Sequence, residues 1–172
     1  MTSLVISIGS NQGNRLSLIY DALRALMLHF GPTRQLSGVY LSEPWGFEST
    51  VCFLNGVAVF ATTDSPSSCL HICRRVEEDL GRVRKPGSGY TSRTIDIDIL
   101  FYGKDICHDS ELTIPHPRLH LRRFVLLPLS EILPDYVHPV LHKSIAELLT
   151  DCTATGKVNC LGKPREMFGG NL

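Results

Sequence analysis

The sequence predicts an α+β fold, a ferredoxin-like antiparallel sheet of β-α-β-β-α-β order with helices packed on one face of it and a C-terminal extension. Short apolar runs of the kind that form strands alternate with two longer stretches whose apolar residues recur at helical spacing. Glycine and proline separate most of these segments, as expected for turns. The 172 residues, 43% of them hydrophobic and 20% charged, suffice for one compact domain with a substantial core.

Three strands and one helix are predicted in the first 62 residues. The helix has apolar positions three or four apart until Gly31 and Pro32, which end it. The strand-type runs are short and rich in β-branched and aromatic residues. The segments are Leu4–Ile8 (strand), Arg15–Phe30 (helix), Gln35–Leu41 (strand) and Phe53–Thr62 (strand).

The second helix and the fourth strand complete the predicted sheet. Ser65 and Pro66 suit a helix cap and first turn, and the apolar positions that follow predict a helix ending at Gly81. Strand-type alternation returns over Ile95–Tyr102. Beyond it we expect a proline-punctuated loop with short helices over 112–133 and a short helix over 144–149. The predicted domain covers residues 1–152, and residues 153–172 are expected to form a loosely held tail.

The composition excludes several classes of protein. Lys and Arg number 17 and Asp and Glu number 17, whereas proteins that hold DNA or an anionic membrane by bulk charge usually have a basic excess. No apolar run approaches the roughly 18 residues of a membrane helix, and the N-terminus lacks the basic start of a signal peptide. The six cysteines form no CxxC pair, as expected for reduced thiols. We expect a cytoplasmic protein, most simply a monomer, without nucleic acid or membrane as a partner.

Asp96 and Asp98 form the strongest local feature. Residues two apart on a strand share a face, so both carboxylates point one way while Ile95, Ile97 and Ile99 face the core. Aspartate is disfavoured in strands, so two in one strand need a reason. They could simply be the solvated face of a half-buried strand, or they could bind Mg²⁺, which prefers hard oxygen ligands. The spacing alone leaves both interpretations open.

Two basic segments flank this strand in the sequence. Residues 82–93 carry four basic side chains, two glycines and no acid, and residues 112–124 carry three arginines and two histidines. Guanidinium groups bind phosphate oxygens through paired hydrogen bonds, and a mobile cationic loop can close over a polyphosphate. Both segments could equally be exposed basic surface, and the spacing of His116 and His120 also permits a zinc site. A local site for one small polyanion is therefore compatible with zero net charge.

Several segments, taken in order, carry a resemblance to a known family. They run from about residue 4 to residue 150 with nearly intact spacing. They are Ile8-Gly-Ser-Asn11, Tyr40-Leu-Ser-Glu-Pro44, Phe53-Leu-Asn55, Gly81-Arg-Val-Arg-Lys85, Arg93-Thr-Ile-Asp-Ile-Asp98 and Pro115-His116, followed by Arg122 and Phe124. With these residues the chain resembles the 6-hydroxymethyl-7,8-dihydropterin pyrophosphokinases (2-amino-4-hydroxy-6-hydroxymethyldihydropteridine diphosphokinases), which are enzymes of folate biosynthesis.

The resemblance implies an ATP-dependent diphosphotransferase. Its reaction moves the terminal pyrophosphate of ATP to the hydroxymethyl oxygen of the pterin and releases AMP. Two Mg²⁺ ions would be held against the triphosphate by Asp96 and Asp98, and Arg82 and Arg93 would act as catalytic residues on the transferring group. The ATP contacts implied in the same way come from Glu77, Arg84, Ile99, Thr113, His116 and Arg122.

The resemblance also implies a site for the pterin. Phe53 and Phe124 correspond to two aromatic rings that sandwich the flat bicycle, although either one considered alone would more simply be a core residue. Asn55 corresponds to an amide that reads the hydrogen-bonding edge, since an amide offers both a donor and an acceptor. Ser42 and Trp45 correspond to loop positions that contribute mainly through the backbone.

Three positions depart from the family pattern, and the sequence leaves their roles open. Arg74 stands where a glutamine can occur, and Glu111 replaces a basic residue beside the ATP site. Tyr90 lies in a basic loop that is one residue longer than in shorter relatives. The role of the C-terminal tail is open as well.

A rival interpretation is a non-catalytic ferredoxin-like module that binds nucleotides or RNA. An RNA-binding version should present aromatic residues on its central strands within a basic surface. Here the predicted sheet face carries Asp96 and Asp98, which repel phosphate unless a metal ion is present. We therefore expect an enzyme whose partners are the small molecules ATP and the pterin.

Overall fold

The computed structural model of the chain describes residues 1–46, 50–83 and 92–163. In these residues the chain forms one large antiparallel sheet, a separate two-stranded ribbon and four α-helices. The strands are β1 (Thr2–Ser10), β2 (Gln35–Leu36), β3 (Val39–Ser42), β4 (Phe53–Thr62), β5 (Asp96–Tyr102), β6 (Cys107–His108), β7 (Thr113–Ile114) and β8 (Val158–Gly162). The helices are α1 (Arg15–Phe30), α2 (Pro66–Asp79), α3 (Arg123–Ile132) and α4 (Ile145–Asp151), and a 3-10 turn at Leu119–Leu121 precedes α3.

The large sheet is built around β1. Its strands follow the order β5-β1-β4-β3-β8, and β2 also pairs with β4. Every pair in it is antiparallel, and β1 pairs with β4 along its whole length, from Thr2 opposite Thr62 to Ser10 opposite Leu54. Mixed helix and antiparallel sheet is the predicted α+β class, which the structure confirms.

The two long predicted helices lie where the sequence periodicity places them. Helix α1 has the predicted bounds, and α2 begins with Pro66 after the Ser65 cap, whose hydroxyl accepts a hydrogen bond from the Ser68 backbone N–H at 3.2 Å. The chain leaves α2 through Gly81, whose φ of +83° is a left-handed conformation that glycine adopts without strain. Cap and breaker residues therefore mark these helix ends correctly.

Helices cover both faces of the sheet, whereas the sequence-based fold packs them on one. Leu4, Ile6 and Ile8 of β1 pack with α1 and α2 in one core. On the opposite face, Val5 packs with α3 and α4 in a second core. Alternation along β1 therefore supplies both cores. In the part of the chain that the structure describes, no helix has the length and apolar character needed to span a bilayer.

Strand β5 contains an irregularity that simple alternation does not predict. Its pairing with β1 shifts register between Val5 and Ile6, which face Phe101 and Ile99 respectively, so Leu100 is an extra residue. Leu100 and Phe101 consequently both belong to the α3–α4 core. Such a bulge changes which face the later residues occupy. The residues before it keep the predicted alternation, which leaves Asp96 and Asp98 on the α3 side.

Part of the segment expected to be a loose tail joins the sheet. Strand β8 pairs with β3, placing Cys160 opposite Tyr40 and Val158 opposite Ser42. Residues 158–162 are therefore held more firmly than the sequence predicts. The strand has few apolar side chains, and backbone hydrogen bonds to β3 hold it instead. Residues 164–172 lie outside the described part of the chain. All six cysteines are free thiols.

Candidate active site

A cleft opens on the sheet face that carries α3. Its empty space, including the open mouth, is about 540 Å³. Nine of the predicted site residues line it together with three others. The lining residues are Ser7, Gly9, Ser42, Glu43, Trp45, Phe53, Asn55, Arg93, Asp96, Asp98, Arg122 and Phe124.

The two aspartates enter the cleft from β5. Asp96 lies opposite Gly9 of β1 and Asp98 lies opposite Ser7, so β1 supplies the small residues that leave room above them. Burial raises the pKa of Asp98 above its usual range, and the negative charge of Asp96 adds to this while Arg122 opposes it. A divalent cation beside both carboxylates would relieve this repulsion.

The donor chemistry of this pair fits a hard divalent cation. Asp96 and Asp98 offer carboxylate oxygens from one face of one strand, with side chains that are 23% and 32% exposed. Among the described residues, no group of three or more His, Cys, Asp or Glu side chains could hold a metal ion. The remaining ligands of a bound ion are thus left to phosphate oxygens and water, as Mg²⁺ prefers. The same result removes support from the zinc interpretation of His116 and His120.

Arginines hold both carboxylate oxygens of Asp96. Arg82 Nη1 donates to Oδ1 at 2.5 Å, and Arg93 Nη1 donates to Oδ2 at 2.6 Å. The Arg82 guanidinium also donates to the buried carboxylate of Glu77. Charge-assisted bonds of this kind can be exchanged for equivalent bonds to phosphate oxygens. The arrangement therefore places two cations beside the carboxylates where a polyanion could be received.

His116 and Arg122 stand beside Asp98. Arg122 Nη1 lies 3.3 Å from Asp98 Oδ2, and His116 Nε2 lies 3.7 Å from the same oxygen. Burial, followed by the positive charges of Arg122 and Arg118, lowers the pKa of His116 to about 4. The imidazole is therefore neutral near pH 7. Its Nδ1 accepts a hydrogen bond from the Arg118 backbone N–H at 3.2 Å, which leaves Nε2 to carry the ring hydrogen.

Trp45 and Phe124 form an aromatic end of the cleft beside Arg122. The centroids of Trp45 and Phe124 are 6.4 Å apart, with ring planes inclined at 58°. The Arg122 guanidinium lies 5.3 Å from the Trp45 centroid and 5.9 Å from the Phe124 centroid. Arg122 thus links the aromatic end to Asp98. This end suits a flat, aromatic ligand.

Asn55 adds a directional polar group to the cleft. It is 6% exposed, and its Nδ2 donates to Ser42 Oγ at 2.8 Å. Ser42 is 3% exposed, so both groups are fixed in a nearly dry environment. A held amide of this kind can distinguish donors from acceptors on a ligand edge.

A model of the 7,8-dihydro-6-hydroxymethylpterin-pyrophosphokinase family matches residues 5–134 of the chain. The chain belongs to this family. A 2-amino-4-hydroxy-6-hydroxymethyldihydropteridine pyrophosphokinase of Porphyromonas gingivalis is 42% identical over 141 residues, which cover 81% of this chain and 95% of the relative. The protein of the same name from Aquifex aeolicus is 37% identical over 153 residues, which cover 89% of this chain and 94% of the relative.

Some relatives are much longer than this chain. The folic acid synthesis protein fol1 of Pneumocystis carinii is 40% identical over 84% of this chain, which is 19% of its own length. The crystal structure of wild-type Plasmodium falciparum HPPK-DHPS superposes with a TM-score of 0.69 and 17% identity, covering 87% of this chain and 44% of that one. This chain therefore spans less than half of that solved chain, and at this identity the likeness concerns the fold.

The residues that the pyrophosphokinase resemblance assigns to ATP are not all in the cleft. Glu77 is 1% exposed and lies beneath β5, and Ile99 is 4% exposed with its side chain in the α1–α2 core. Thr113 is partly buried on β7, whose strand contacts β5. Arg84 lies outside the described residues, as does Tyr90. A contact between Ile99 and a nucleotide would thus have to use the backbone.

Two of the three departures from the family pattern, Arg74 and Glu111, contact each other. Arg74 of α2 donates from Nη1 to Glu111 Oε2 at 2.5 Å, and the two side chains are 30% and 57% exposed. Exposed pairs of this kind contribute little to stability. Glu111 therefore stands beside its own counter-charge, which limits the repulsion that it would exert on a nucleotide.

Three residues of the cleft have no site role in the sequence-based assignment, although Gly9 and Glu43 lie in segments that carry the family resemblance. Ser7 and Gly9 lie on β1 in register with the two aspartates, and Glu43 follows Ser42 on the rim. A Cβ built on Gly9 would stand 2.9 Å from Asn55 Oδ1. Gly9 directly precedes Ser10 and Asn11 in the segment Ile8–Asn11, which carries the family resemblance. This position is the sequence signal that could have identified Gly9 as a residue of the cleft.

Proposed function

We propose that this chain transfers pyrophosphate from ATP to the hydroxymethyl group of 6-hydroxymethyl-7,8-dihydropterin and releases AMP, a step of folate biosynthesis. The observation that carries the proposal is that one cleft combines two sets of side chains. Carboxylates and arginines suited to a metal-bound polyphosphate line it together with Trp45, Phe124 and Asn55. The reaction itself is that named for the family and for relatives 35–42% identical to this chain.

We propose further that Asp96 and Asp98 hold Mg²⁺, two ions being the number that the family resemblance implies. When bound, the ions neutralise phosphate charge and align the triphosphate for displacement at the β-phosphorus. The chain contributes two carboxylates fixed on one strand face. Burial, followed by the negative charge of Asp96, raises the pKa of Asp98, and a cation beside both carboxylates would offset both effects.

Arg82 and Arg93 supply positive charge beside the pyrophosphoryl group that is transferred. Arg82 and Arg93 already lie within hydrogen-bond distance of Asp96, so each can offer an N–H group to a phosphate oxygen with a small movement, Arg82 while it stays bonded to Glu77. A new bond forms between the pterin oxygen and the β-phosphorus while the bond from that phosphorus to the AMP oxygen breaks, and the proton of the pterin hydroxyl is released to water. Donors placed around this centre stabilise the charge that shifts during the exchange.

His116 acts in this scheme as a neutral donor. With its pKa lowered to about 4, the ring carries no charge at pH 7, and its hydrogen is on Nε2 beside Asp98 and Arg122. It can therefore donate to a phosphate oxygen without pairing permanently with Asp98. Arg122 supplies the adjacent positive charge.

The pterin is assigned to the aromatic end. Phe53 and Phe124 offer faces for stacking, and Asn55 is held by Ser42 so that its amide oxygen and nitrogen keep fixed directions. Asp96 and Asp98 line the same cleft, so we place the hydroxymethyl group of the bound bicycle on their side. Holding both substrates in this orientation is the larger part of catalysis for phosphoryl transfer.

We also propose that the fold is ferredoxin-like and that residues 1–152 form the catalytic domain. The support is the strand order, in which β1 lies between β5 and β4 and the next neighbour is β3. Numbered as the four predicted strands, this is the order 4-1-3-2. The two predicted helices connect the first strand to the second and the third to the fourth.

The test is a product analysis with purified protein. Incubation with MgATP and 6-hydroxymethyl-7,8-dihydropterin should yield AMP and pterin diphosphate in equal amounts, measured by chromatography. Omitting the pterin should prevent AMP formation, and Asp98→Asn serves as the matched inactive variant. Formation of ADP in place of AMP, or ATP consumption that does not depend on the pterin, would contradict the proposal.

A further inference from the structure

Glu77 occupies a place that a direct contact with nucleotide does not explain. It lies on the last turn of α2, is 1% exposed and is not among the residues that line the cleft. Its Oε1 accepts a hydrogen bond from the Ile97 backbone N–H at 2.7 Å. Ile97 is the residue between the two aspartates, so Glu77 fixes the strand segment that carries them.

Arg82 is shared between Glu77 and Asp96. The same nitrogen, Nη1, donates to Glu77 Oε1 and lies 2.5 Å from Asp96 Oδ1. The Arg82 backbone N–H also donates to the Glu77 carbonyl at 2.9 Å. One guanidinium therefore divides its charge between a buried carboxylate and a carboxylate that faces the cleft.

The two carboxylates differ in what they can do without Arg82. Asp96 is 23% exposed and can take a cation from the cleft as its partner. Glu77 is buried, and removing a positive partner from a buried carboxylate is strongly destabilising. When a cation reaches Asp96, electrostatics thus favours the arginine remaining on the buried side.

We propose that Glu77 is a positioning residue that retains Arg82 at the base of the site and so frees Asp96 to bind a divalent cation. The inference rests on the proposed function, because it takes Asp96 as a metal ligand. It differs from the ATP contact that the family resemblance implies for Glu77. Without the Glu77 charge, Arg82 pairs fully with Asp96 and competes with the cation.

The first test uses Glu77→Gln, which keeps the size of the side chain and an oxygen that can accept from Ile97. Mn²⁺ binding is measured by electron paramagnetic resonance in the presence of α,β-methylene ATP, so no turnover is needed. We expect roughly tenfold weaker Mn²⁺ binding, as for other residues that act through a metal ligand. The matched control is Glu78→Gln, which removes the same charge from the exposed neighbour on α2 and should leave Mn²⁺ affinity unchanged.

The second test asks whether the effect passes through Arg82. Arg82→Ala should by itself tighten Mn²⁺ binding, because it removes the competitor from Asp96. In the Arg82→Ala background, Glu77→Gln should no longer weaken Mn²⁺ binding, a non-additivity that a double-mutant cycle measures. Should either single variant fail to fold, as judged by circular dichroism, the double variant Glu77→Gln/Arg82→Ala, which buries no unpaired carboxylate, still decides, since weaker Mn²⁺ binding by it than by the unaltered chain overturns the inference.

Further outcomes separate this inference from the alternatives. A direct nucleotide contact predicts that Glu77→Gln weakens binding of α,β-methylene ATP in EDTA, measured by calorimetry, and that result overturns the positioning role. Equal weakening of Mn²⁺ binding with and without Arg82 overturns it as well. If the unaltered chain binds no Mn²⁺, the inference falls, while the AMP assay continues to judge the proposed function independently.

Discussion

Gly9 of β1 and Asn55 of β4 lie directly opposite each other, so close that a Cβ on Gly9 would stand 2.9 Å from Asn55 Oδ1. Real Cβ atoms essentially never approach another atom so closely, so Gly9 is what allows the Asn55 amide to occupy its position. The amide in turn donates to Ser42. A residue without a side chain thus sets the orientation of the group proposed to read the pterin.

Gly9→Ala should therefore damage recognition of the pterin. The new methyl displaces the Asn55 amide and disturbs its bond to Ser42, which costs on the order of 1–3 kcal/mol of binding. We expect the KM for the pterin to rise roughly 10- to 100-fold and the KM for ATP to change much less. Steady-state kinetics with each substrate varied in turn makes this measurement.

The control for this substitution is Gly56→Ala in the same sheet. A Cβ there meets its nearest atoms at 3.5 and 3.6 Å, which are ordinary contact distances. It should leave both KM values near those of the unaltered chain. A similar rise in the pterin KM for both variants would show that general disturbance of the sheet, and not the Asn55 contact, is responsible.

Asp98→Asn should abolish turnover while leaving the fold intact. The raised pKa of Asp98 means that its negative charge is disfavoured in the ligand-free fold, so the neutral amide should keep or slightly raise the unfolding temperature. Loss of the carboxylate should reduce AMP formation by at least about 100-fold. Calorimetry of the free protein and the AMP assay measure the two effects. Asp21→Asn, which neutralises an exposed carboxylate on α1, should change neither one, and substantial activity in Asp98→Asn would contradict the metal role.

Local signals predict much of the fold because they act at short range. Gly31 ends α1 and Ser65 caps α2, since these effects depend on neighbouring backbone groups alone. Helix α3 was anticipated only as short helices within a loop, because Pro128 lies inside it. Burial of Leu126 and Leu129 in the second core outweighs the proline there. Strand β8 was missed for a similar reason, since its pairing with β3 is a long-range effect.

The site residues could be predicted where their arrangement follows from their spacing in the sequence. They were harder to predict where their arrangement depends on contacts between elements that are distant in the sequence. The shared face of Asp96 and Asp98 follows from the two-residue period of a strand. The burial of Glu77 beneath Ile97 does not, because it requires α2 to dock against β5 in one register. The resemblance to a family supplies the residue identities but not which of them face the cleft.

Ser144 should contribute measurably to stability as the cap of α4. Its Oγ accepts from the Glu147 N–H at 3.2 Å, while Glu147 Oε2 accepts from the Ser144 N–H at 2.7 Å. Ser144→Ala should lower the free energy of unfolding by about 1 kcal/mol, measured by urea denaturation. Ser17→Ala, on the exposed face of α1, is the matched control and should show no loss. Equal values for the two variants would mean that the cap contributes nothing to global unfolding.

His138 should make the protein less stable as the pH falls. The side chain is 4% exposed, and burial, aided by the charges of His120 and His142, lowers its pKa to about 4. An unfolded histidine titrates near 6.5. Between these values the unfolded chain binds more protons than the folded one, so stability is lost as the pH falls from about 7 and the loss levels off below about 4.

His138→Asn isolates this contribution. The amide oxygen can replace Nδ1, which accepts from the Val140 and Leu141 N–H groups at 3.2 Å each, but it does not titrate. Between pH 7.5 and 5 the variant should lose less unfolding free energy than the unaltered chain, by on the order of 1 kcal/mol. Urea denaturation at the two pH values measures the difference, and His71→Asn on the exposed face of α2 should leave the pH dependence unchanged. Because His116 also has a lowered pKa, the variant should keep part of the pH dependence. A pH dependence identical to that of the unaltered chain would show that His138 is not held neutral in the fold.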